Sequence, residues 1–317
     1  GHELLPGALD YESALAAADP ALPADLVGSW SGDDLYLCYT GGTTGMPKGT
    51  MWRQADFVVA ALGVRRRDGT EYDSLDELVD DARGTVRALP APPLMHGAAH
   101  WNALSCWLAG GTVVLQSVVD RFDPTDVLDT VEARRASSLL IVGDPMARPL
   151  VDVVLAERAA GRDRDLTSLR HLLSGGAVLS PQLKSELLDL LPGLTIVDVL
   201  GSTESGRQGV ARVRSGEDTN GSFAPASTAA VLSEDLTRRL EPGETELGWL
   251  AQSGRVPLGY LGDAERTART FPLVDGRRHA VPGDRAVLLP DGRIELLGRG
   301  SVCINTGGEK VFPEEVE

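Results

Sequence analysis

The most constraining feature of the chain is a short segment dense in glycine and threonine, Tyr39-Thr40-Gly41-Gly42-Thr43-Thr44-Gly45-Met46-Pro47-Lys48-Gly49. Its four glycines and three threonines leave too little side-chain bulk to build a core. The segment instead offers consecutive backbone N–H groups, hydroxyls and the Lys48 ammonium, all of which can converge on a polyphosphate. An ordinary glycine turn is the alternative interpretation. A Walker A loop is excluded, because Lys48 follows Pro47 and precedes Gly49.

The composition is ordinary for a soluble globular protein, with 42% hydrophobic and 24% charged residues, and 317 residues allow more than one domain. A formal charge of −16 argues against a nucleic-acid partner and an anionic membrane surface. We expect no membrane span and no signal peptide. Cys38, Cys106 and Cys303 are far apart, which predicts free thiols in a reducing compartment, the cytoplasm. The sequence leaves the oligomeric state open, and a homodimer is one possibility.

Apolar, β-branched runs alternate with amphipathic segments from about residue 33 to residue 214. This alternation predicts an α/β fold, with right-handed crossovers and a largely parallel sheet flanked by helices. The candidate strands are Leu35–Thr40, Thr112–Gln116, Ser138–Val142, His171–Ser174 and Thr195–Leu200. After Asn220, short strand-like pieces with Gly and Pro turns predict a smaller, mostly antiparallel β subdomain. We therefore expect an α/β region over 1–220, a β-rich subdomain over 221–298 and a hinge segment over 299–317.

Local signals predict several helix starts. Three capping residues are followed by proline, in Asp123-Pro124, Asp144-Pro145 and Ser180-Pro181. In the charged segment 65–87, Ser74 and Glu77 have the spacing of a capping box for a short exposed helix. We interpret this segment as a solvated insertion, with a cover over a substrate entrance as the alternative.

Other stretches offer groups suited to a binding site. Ser174-Gly175-Gly176-Ala177 ends a predicted strand, where small residues let a flat ring or a phosphate approach the backbone; a tight turn is the alternative. The segment 198–204 ends another strand in a carboxylate, Glu204, that is either solvated or suited to Mg²⁺. Gly283-Asp284-Arg285 is typical of a loop turn. His96 and His100 lie near Trp101 in the sequence. They are either structural residues with their hydrogen bonds satisfied or parts of a binding site.

Taken in order, these stretches resemble the adenylate-forming (ANL) superfamily of AMP-binding enzymes. That superfamily includes acyl-CoA synthetases, aryl-CoA ligases and peptide-synthetase adenylation domains. The resemblance covers residues 33–317 and implies the layered core of the large N-terminal domain, without the C-terminal lid domain. The segments 141–150 and 307–317 look most like ligases of fatty acids and steroid side chains. In the superfamily a longer segment precedes the loop, and a C-terminal domain with a further catalytic lysine follows the hinge. None of Lys48, Lys184 and Lys310 fits the role of that lysine, so we expect the chain to be the middle of a longer enzyme.

The resemblance implies a site for ATP, Mg²⁺, a carboxylic acid and coenzyme A. The implied ATP- or AMP-binding residues are Thr40, Gly41, Gly42, Thr43, Thr44, Gly45, Lys48, Gly175, Gly176, Ala177, Asp198, Val199, Leu200, Gly201, Ser202, Thr203, Asp284 and Arg299. The implied catalytic residues are Thr43, Lys48, Thr203 and Glu204, with Glu204 as the metal ligand. The implied acyl-site residues are His96, His100, Trp101 and Gly201, and Ser301 would be the interdomain hinge.

One position departs from the superfamily pattern in a way that matters for the nucleotide. Leu200 stands where an aromatic residue commonly stacks on adenine, so we expect weaker or reshaped base stacking. Ser301 likewise stands where Asp or Lys is common at the hinge.

The implied reaction is attack of a carboxylate on the α-phosphate of ATP, followed by transfer of the acyl group to coenzyme A in the full-length enzyme. Two alternatives stay open: an adenylation domain that loads a carrier protein, and a homologue that binds acyl or nucleotide ligands without adenylation. The sequence contains no Cys/His metal spacing and no Ser/His/Asp nucleophile pattern.

Overall fold

A computed structural model describes residues 4, 6–21, 23–24, 26, 28–40, 47–215, 222–244, 246–299, 304–305 and 310–311, with the backbone alone at 299 and beyond. The helices are α1 (Tyr11–Ala17), α2 (Gln54–Ala60), α3 (Leu75–Asp81), α4 (Gly97–Leu108), α5 (Pro124–Arg134), α6 (Gly143–Ala159), α7 (Pro181–Leu190) and α8 (Ala264–Thr270). The strands are β1 (Leu35–Thr40), β2 (Lys48–Arg53), β3 (Arg87–Pro90), β4 (Thr112–Val113), β5 (Ser138–Ile141), β6 (His171–Gly175), β7 (Thr195–Ser202), β8 (Gly206–Val213), β9 (Ser222–Pro225), β10 (Ala229–Leu232), β11 (Gly248–Ser253), β12 (Gly259–Tyr260), β13 (Leu273–Val274), β14 (Arg277–Ala280), β15 (Asp284–Leu288), β16 (Ile294–Arg299), β17 (Ile304–Asn305) and β18 (Lys310–Val311).

Most of the described strands belong to one continuous sheet, in the order β13-β14-β11-β15-β16-β9-β8-β7-β6-β5-β3-β4, with β10 paired to β11. The strands from β4 to β7 along this order run parallel, as expected for strands that alternate with helices. The pairs from β7 to β13 are antiparallel. The predicted α/β class, with a parallel sheet, flanking helices and a smaller antiparallel part, is confirmed.

One prediction about strand placement is wrong. The strand Leu35–Thr40 exists, but it pairs antiparallel with β2 in a separate three-stranded sheet, β1-β2-β12. The connection 41–47 is too short for the crossover that a parallel neighbour would need. The antiparallel pairing also begins before Asn220, at β8, because the turn 203–205 returns the chain directly beside β7.

The described residues form five buried apolar clusters, and the first three hold most of these elements together. The largest covers one face of the parallel strands, where Leu139, Ile141, Leu172 and Ile196 are at most 1% exposed and pack with the apolar sides of α5, α6 and α7. Alternate residues of a strand point to the same face, so these side chains meet the helices together. The second cluster fills the antiparallel part. The third, around Trp52, joins the small sheet to α2 and α4. The small sheet is thereby seated beside the parallel strands.

Two of the three predicted helix starts are confirmed. The Asp123 carboxylate accepts from backbone N–H groups at the start of α5, and the Ser180 hydroxyl does so at the start of α7. The prediction for Asp144-Pro145 is wrong, since α6 begins at Gly143. The Asp144 carboxylate instead accepts from the Ser180 N–H at 2.7 Å, so it joins α6 to the turn before α7.

The charged insertion contains the short exposed helix that the sequence predicts. The Ser74 hydroxyl accepts from the Glu77 N–H at 3.2 Å, at the start of α3. The guanidinium of Arg255 forms salt bridges with Asp56 and Glu71, and these anchor the insertion to α2 and to the loop after β11. Among the described helices, none is long and apolar enough to cross a bilayer.

Candidate active site

The predicted phosphate loop joins the two strands of the β1–β2 hairpin. Thr40 and Lys48 are directly opposite each other in the register of this hairpin. The two ends of the loop are therefore held at one point, at the end of the small sheet. The loop residues Gly41, Gly42, Thr43, Thr44 and Gly45 lie outside the described residues, as do the hinge residue Ser301 and the side chain of Arg299.

The turn between β7 and β8 carries Thr203 and Glu204, and it is fastened to the small sheet. Trp52 on β2 is completely buried, and its Nε1 donates to the Thr203 carbonyl oxygen at 2.9 Å. A Cβ added to Gly97, the first residue of α4, would lie 3.7 Å from the Thr203 Oγ1. The structure thus brings the predicted loop strand, the predicted metal-binding turn and the start of α4 together.

The backbone of this turn depends on glycine and serine. A Cβ at Gly201 would clash with the Gly206 carbonyl oxygen across the hairpin, so only glycine fits this position. The Ser205 hydroxyl lies 2.9 Å from the Ser202 hydroxyl and donates to the Gln208 side chain at 2.9 Å. These bonds shape the turn that presents Thr203 and Glu204 at the end of β7.

Tyr260 completes this cluster, and the sequence analysis missed it. Its strand β12 pairs with β2, and its hydroxyl donates to the Glu204 Oε1 at 2.9 Å. Burial raises the pKa of the Tyr260 phenol, and the nearby Glu204 charge raises it further, so the phenol keeps its proton. A buried tyrosine hydroxyl needs a polar partner. This need is the one sequence-level signal that could have drawn attention to Tyr260.

Lys48 lies over the ring of Tyr260, with its Nζ 5.9 Å from the ring centroid. Burial lowers the pKa of the Lys48 ammonium, and so does the charge of Arg266 on α8. Glu204 and Asp263 act in the opposite direction, favouring the charged form. Lys48 is therefore a partly desolvated cation close to a carboxylate. An anionic ligand bound beside it would raise the pKa of Lys48 and favour the charged form.

The predicted acyl-site residues His100 and Trp101 belong to a hydrogen-bonded chain with Tyr36 of β1. The His100 Nδ1 lies 3.0 Å from the His96 carbonyl oxygen, an acceptor, so Nδ1 carries the proton and Nε2 accepts. The Tyr36 hydroxyl donates to that Nε2 and accepts from the Trp101 Nε1 at 2.9 Å. Burial lowers the pKa of His100, in agreement with a neutral ring. His96 itself is exposed at the start of α4.

The small residues after β6 form a turn that packs against the start of α6. The Gly143 N–H donates to the Ser174 hydroxyl at 3.2 Å, and a Cβ at Gly143 would clash with the backbone at Ala177. Gly176 adopts a φ of +87°, a conformation that favours glycine. Gly175, Gly176 and Ala177 therefore lie at the carboxyl end of β6, next to the end of β7, as the sequence predicts for a nucleotide-facing turn.

Two of the implied nucleotide residues on β7 have side chains committed elsewhere. The Asp198 Oδ2 lies 2.6 Å from the Lys184 Nζ, and this buried pair ties β7 to α7. Burial raises the pKa of Asp198, and the bond to Lys184 opposes that shift. Leu200 packs in the core of the antiparallel part. Val199 lies between them, half-buried, next to Gly175 in the register.

Asp284 and Arg299 are brought together by the pairing of β15 with β16, in which they are direct partners. The Asp284 side chain is nearly buried. In the sheet order these strands lie beyond β8 and β9 from β7. These two implied nucleotide-binding residues are thus neighbours of each other on the antiparallel side of the sheet.

The residues present fit a magnesium ion. Within the described part of the chain, no three His, Cys, Asp or Glu side chains cluster as a protein-only metal site. Glu204 is half-buried, its Oε1 accepts from Tyr260, and no described donor bonds its Oε2. Mg²⁺ typically takes one or two carboxylates and completes its shell with phosphate oxygens and water. One open oxygen of Glu204, on the turn that Trp52 fastens to the strand after the predicted phosphate loop, meets that requirement.

Comparisons with known proteins agree with this arrangement. Residues 6–261 match the AMP-binding enzyme family. The chain is 47% identical to the medium-chain acyl-CoA ligase Mig of Mycobacterium avium, over all of this chain and 57% of that protein. It is 37% identical to a 3-oxocholest-4-en-26-oate–CoA ligase of Rhodococcus rhodochrous, over 98% of this chain and 56% of that protein. The chain thus spans a little over half the length of these curated relatives.

The fold has a counterpart among solved structures. ATP-bound MatB from Rhodopseudomonas palustris superposes with a TM-score of 0.67 at 25% identity, covering 96% of this chain and 56% of that one. The predicted resemblance to the adenylate-forming superfamily, and within it to fatty-acid and steroid-acid CoA ligases, is confirmed by these matches. The chain belongs to the AMP-binding enzyme family.

Proposed function

We propose that the protein activates a carboxylic acid with ATP, forming an acyl-adenylate and pyrophosphate, and then transfers the acyl group to coenzyme A. The acid is a long-chain fatty acid or a bulky steroid- or terpenoid-like acid. The observation that carries this proposal is the meeting of Lys48, Thr203 and Glu204 at the base of the loop hairpin. The two relatives, a medium-chain acyl-CoA ligase and a steroid-acid CoA ligase, support a fatty or steroid-like acid as the substrate class.

The first half-reaction is mainly a task of positioning and electrostatics. A substrate carboxylate oxygen attacks the α-phosphorus of ATP, and the bond from that phosphorus to the oxygen bridging to the β-phosphate breaks. Lys48 and the glycine–threonine loop would hold the departing pyrophosphate, since the partly buried ammonium lies where the loop returns to the sheet. Thr203 would bind the nucleotide phosphate from the end of β7. No side chain needs to become a covalent nucleophile.

Glu204 would hold Mg²⁺ through its open oxygen, and the ion would screen the negative charge of the phosphates. The site residues around the turn would hold the nucleotide itself. The turn at Gly175 and Gly176 would leave the backbone accessible to the adenine base. Leu200 offers no aromatic ring on which the base could stack.

The hydrogen-bonded chain of Tyr36, His100 and Trp101 would form one wall of the acyl site. These side chains are held by each other, so the wall has a defined shape before the acid arrives. In the second half-reaction the thiolate of coenzyme A would attack the acyl carbonyl carbon, and AMP would leave.

Two further expectations belong to this proposal. Cys38 and Cys106 are buried free thiols, which supports a reducing compartment such as the cytoplasm. A homodimer is testable by light scattering coupled to size-exclusion chromatography.

The test is pyrophosphate release by the full-length protein with ATP and Mg²⁺. The panel contains short to long fatty acids, aryl acids, and steroid or terpenoid acids, each with and without coenzyme A. We expect acid-dependent release that falls by about 10²- to 10³-fold in Glu204→Ala, because charge stabilisation in such a site has this magnitude. Glu241→Ala, an exposed loop glutamate, is the matched control and should leave release unchanged.

The outcomes separate the alternatives. If an acid gives pyrophosphate release but a thioester forms only with a carrier-protein thiol, the acceptor is a carrier protein and not coenzyme A. Absence of release with every acid, together with measurable ATP binding, would favour a binding protein over an enzyme.

A further inference from the structure

Tyr260 is held rigidly in place, and the proposed reaction assigns it no role. The residue is 6% exposed, and its ring meets the Phe271 ring edge-on with centroids 5.9 Å apart. Its N–H donates to the Thr267 hydroxyl at 2.9 Å. Gly259 before it has a φ of +144°, and a Cβ there would clash with Thr267. The β12–α8 connection therefore fixes the phenol in one place.

The fixed phenol makes two contacts with residues that the proposed function places at the phosphates. Its hydroxyl donates to the Glu204 Oε1, and its ring face lies 5.9 Å from the Lys48 Nζ. Glu204 and Lys48 come from sequence positions 156 residues apart, and Tyr260 lies 56 residues beyond Glu204. One side chain thus touches both the carboxylate and the cation of the site.

We propose that Tyr260 is a positioning residue for Glu204: it holds the carboxylate through Oε1, so that Oε2 would be free to hold Mg²⁺ when the nucleotide binds. This proposal rests on the function proposed above. The hydroxyl donates a hydrogen bond to Oε1 and thereby fixes the rotation of the carboxylate, so Oε2 points in one direction. The ring face also supports the Lys48 ammonium on the other side.

A role as a proton donor to the reaction does not fit the same residue. The Tyr260 hydroxyl already donates its proton to the Glu204 Oε1, and the residue is only 6% exposed. Tyr260 therefore acts through Glu204 and does not need to touch the reacting atoms.

The variant Tyr260→Phe removes the hydroxyl and keeps the ring under Lys48 and against Phe271. Tyr72→Phe is the matched control, because the Tyr72 hydroxyl donates to the Asp81 carboxylate at 2.7 Å in the charged insertion. Each variant loses one tyrosine–carboxylate hydrogen bond. The first readout is calorimetric binding of ATP to the full-length protein, with Mg²⁺ and with EDTA.

We expect Tyr260→Phe to weaken binding of MgATP about 10-fold, the size of one hydrogen bond to a charged group, and to change binding of metal-free ATP by less than about 2-fold. Tyr72→Phe should change neither. In steady-state assays we expect a lower kcat and a larger Mg²⁺ requirement, with the KM for the acid unchanged.

A double-mutant cycle with Glu204→Gln decides whether Tyr260 acts through Glu204. In the cycle, Tyr260→Phe should add little to the loss already caused by Glu204→Gln. Additive losses, equal weakening of MgATP and metal-free ATP, or a melting temperature that falls well below that of Tyr72→Phe would each overturn the proposal. If the wild-type protein releases no pyrophosphate, the proposed function fails, while the binding cycle still decides the role of Tyr260.

Discussion

The parallel half of the sheet and the small β1–β2–β12 sheet are held together in different ways. In the parallel half, fully buried aliphatic side chains such as Leu139 and Ile196 pack under α5, α6 and α7. In the small sheet, aromatic residues with polar atoms bridge distant parts of the chain, as Trp52 does to Thr203 and Tyr260 to Glu204. The first region can tolerate little unpaired polarity, whereas the second holds polar side chains in place through hydrogen bonds to distant parts of the chain.

The difference teaches where stability and chemistry reside. Among the described residues of the parallel half, the buried charged groups Lys184 and Arg164 are each paired with carboxylates, and the aliphatic core contributes through burial of apolar area. The apolar cluster of the small sheet has fewer buried residues, but this sheet brings a cation, a carboxylate and tyrosine hydroxyls into contact with one another. A substitution in the first region should therefore act on folding, and one in the second should act first on binding.

The largest effect that would test this comparison comes from Lys184→Ala. The substitution leaves the Asp198 carboxylate buried without its partner, and we expect a loss of about 3–5 kcal/mol in the free energy of unfolding. Urea unfolding followed by circular dichroism measures it. The double variant Lys184→Met/Asp198→Leu removes both charges and should recover most of the loss. A loss below about 1 kcal/mol in the single variant would show that the core does not depend on this pair.

A smaller loss of stability, with a larger effect on binding, is expected from Tyr36→Phe. The ring keeps its stacking on Phe57, with centroids 4.0 Å apart, but His100 and Trp101 both lose their partner. We expect about 1–2 kcal/mol less stability and a higher KM for the acid at unchanged kcat. Tyr11→Phe, on exposed α1, is the control. An unchanged KM for the acid would show that Tyr36, His100 and Trp101 do not form part of the acyl site.

The sequence predicted the parallel half of the sheet better than the small one, for a physical reason. Capping by Asp123 and Ser180 is a local interaction, so it can be recognised from neighbouring residues. The Asp144 prediction was wrong because the Asp144 carboxylate bonds to Ser180, 36 residues away. The strand Leu35–Thr40 was recognised, but its antiparallel partner could be found only from the shortness of its connection.

The site shows the same limit. Glu204, Thr203 and Lys48 were singled out because their motifs are short and dense, and the structure brings them together. Tyr260 was missed because its role depends on a partner 56 residues away. Tyr36 was seen only as part of a strand, since its contact with His100 spans 64 residues. Hydrogen bonds between distant positions leave no periodic pattern in a sequence.

The smallest effect expected here is a pH dependence of stability that originates in the small sheet. His100 is neutral in the folded protein, and burial lowers its pKa from the ordinary value of 6.5. The unfolded chain therefore binds a proton more readily than the folded one. By linkage, the stability that His100 contributes is complete above pH 6.5 and is lost as the pH falls through the folded-state pKa.

The variant His100→Gln removes this titration while keeping a polar side chain beside Tyr36. Between pH 7 and pH 5, we expect the wild-type protein to lose more free energy of unfolding than His100→Gln does. The difference should stay below about 1 kcal/mol, because solvent screens a half-buried group. His171 and His279 also have lowered pKa values, so both proteins should lose stability toward acid pH and only the difference reports His100. Parallel curves for the two proteins would mean that His100 takes up its proton equally well in the folded and unfolded states, so that its Nε2 donates to the Tyr36 hydroxyl instead of accepting from it, and the polar chain of the small sheet would need to be redrawn.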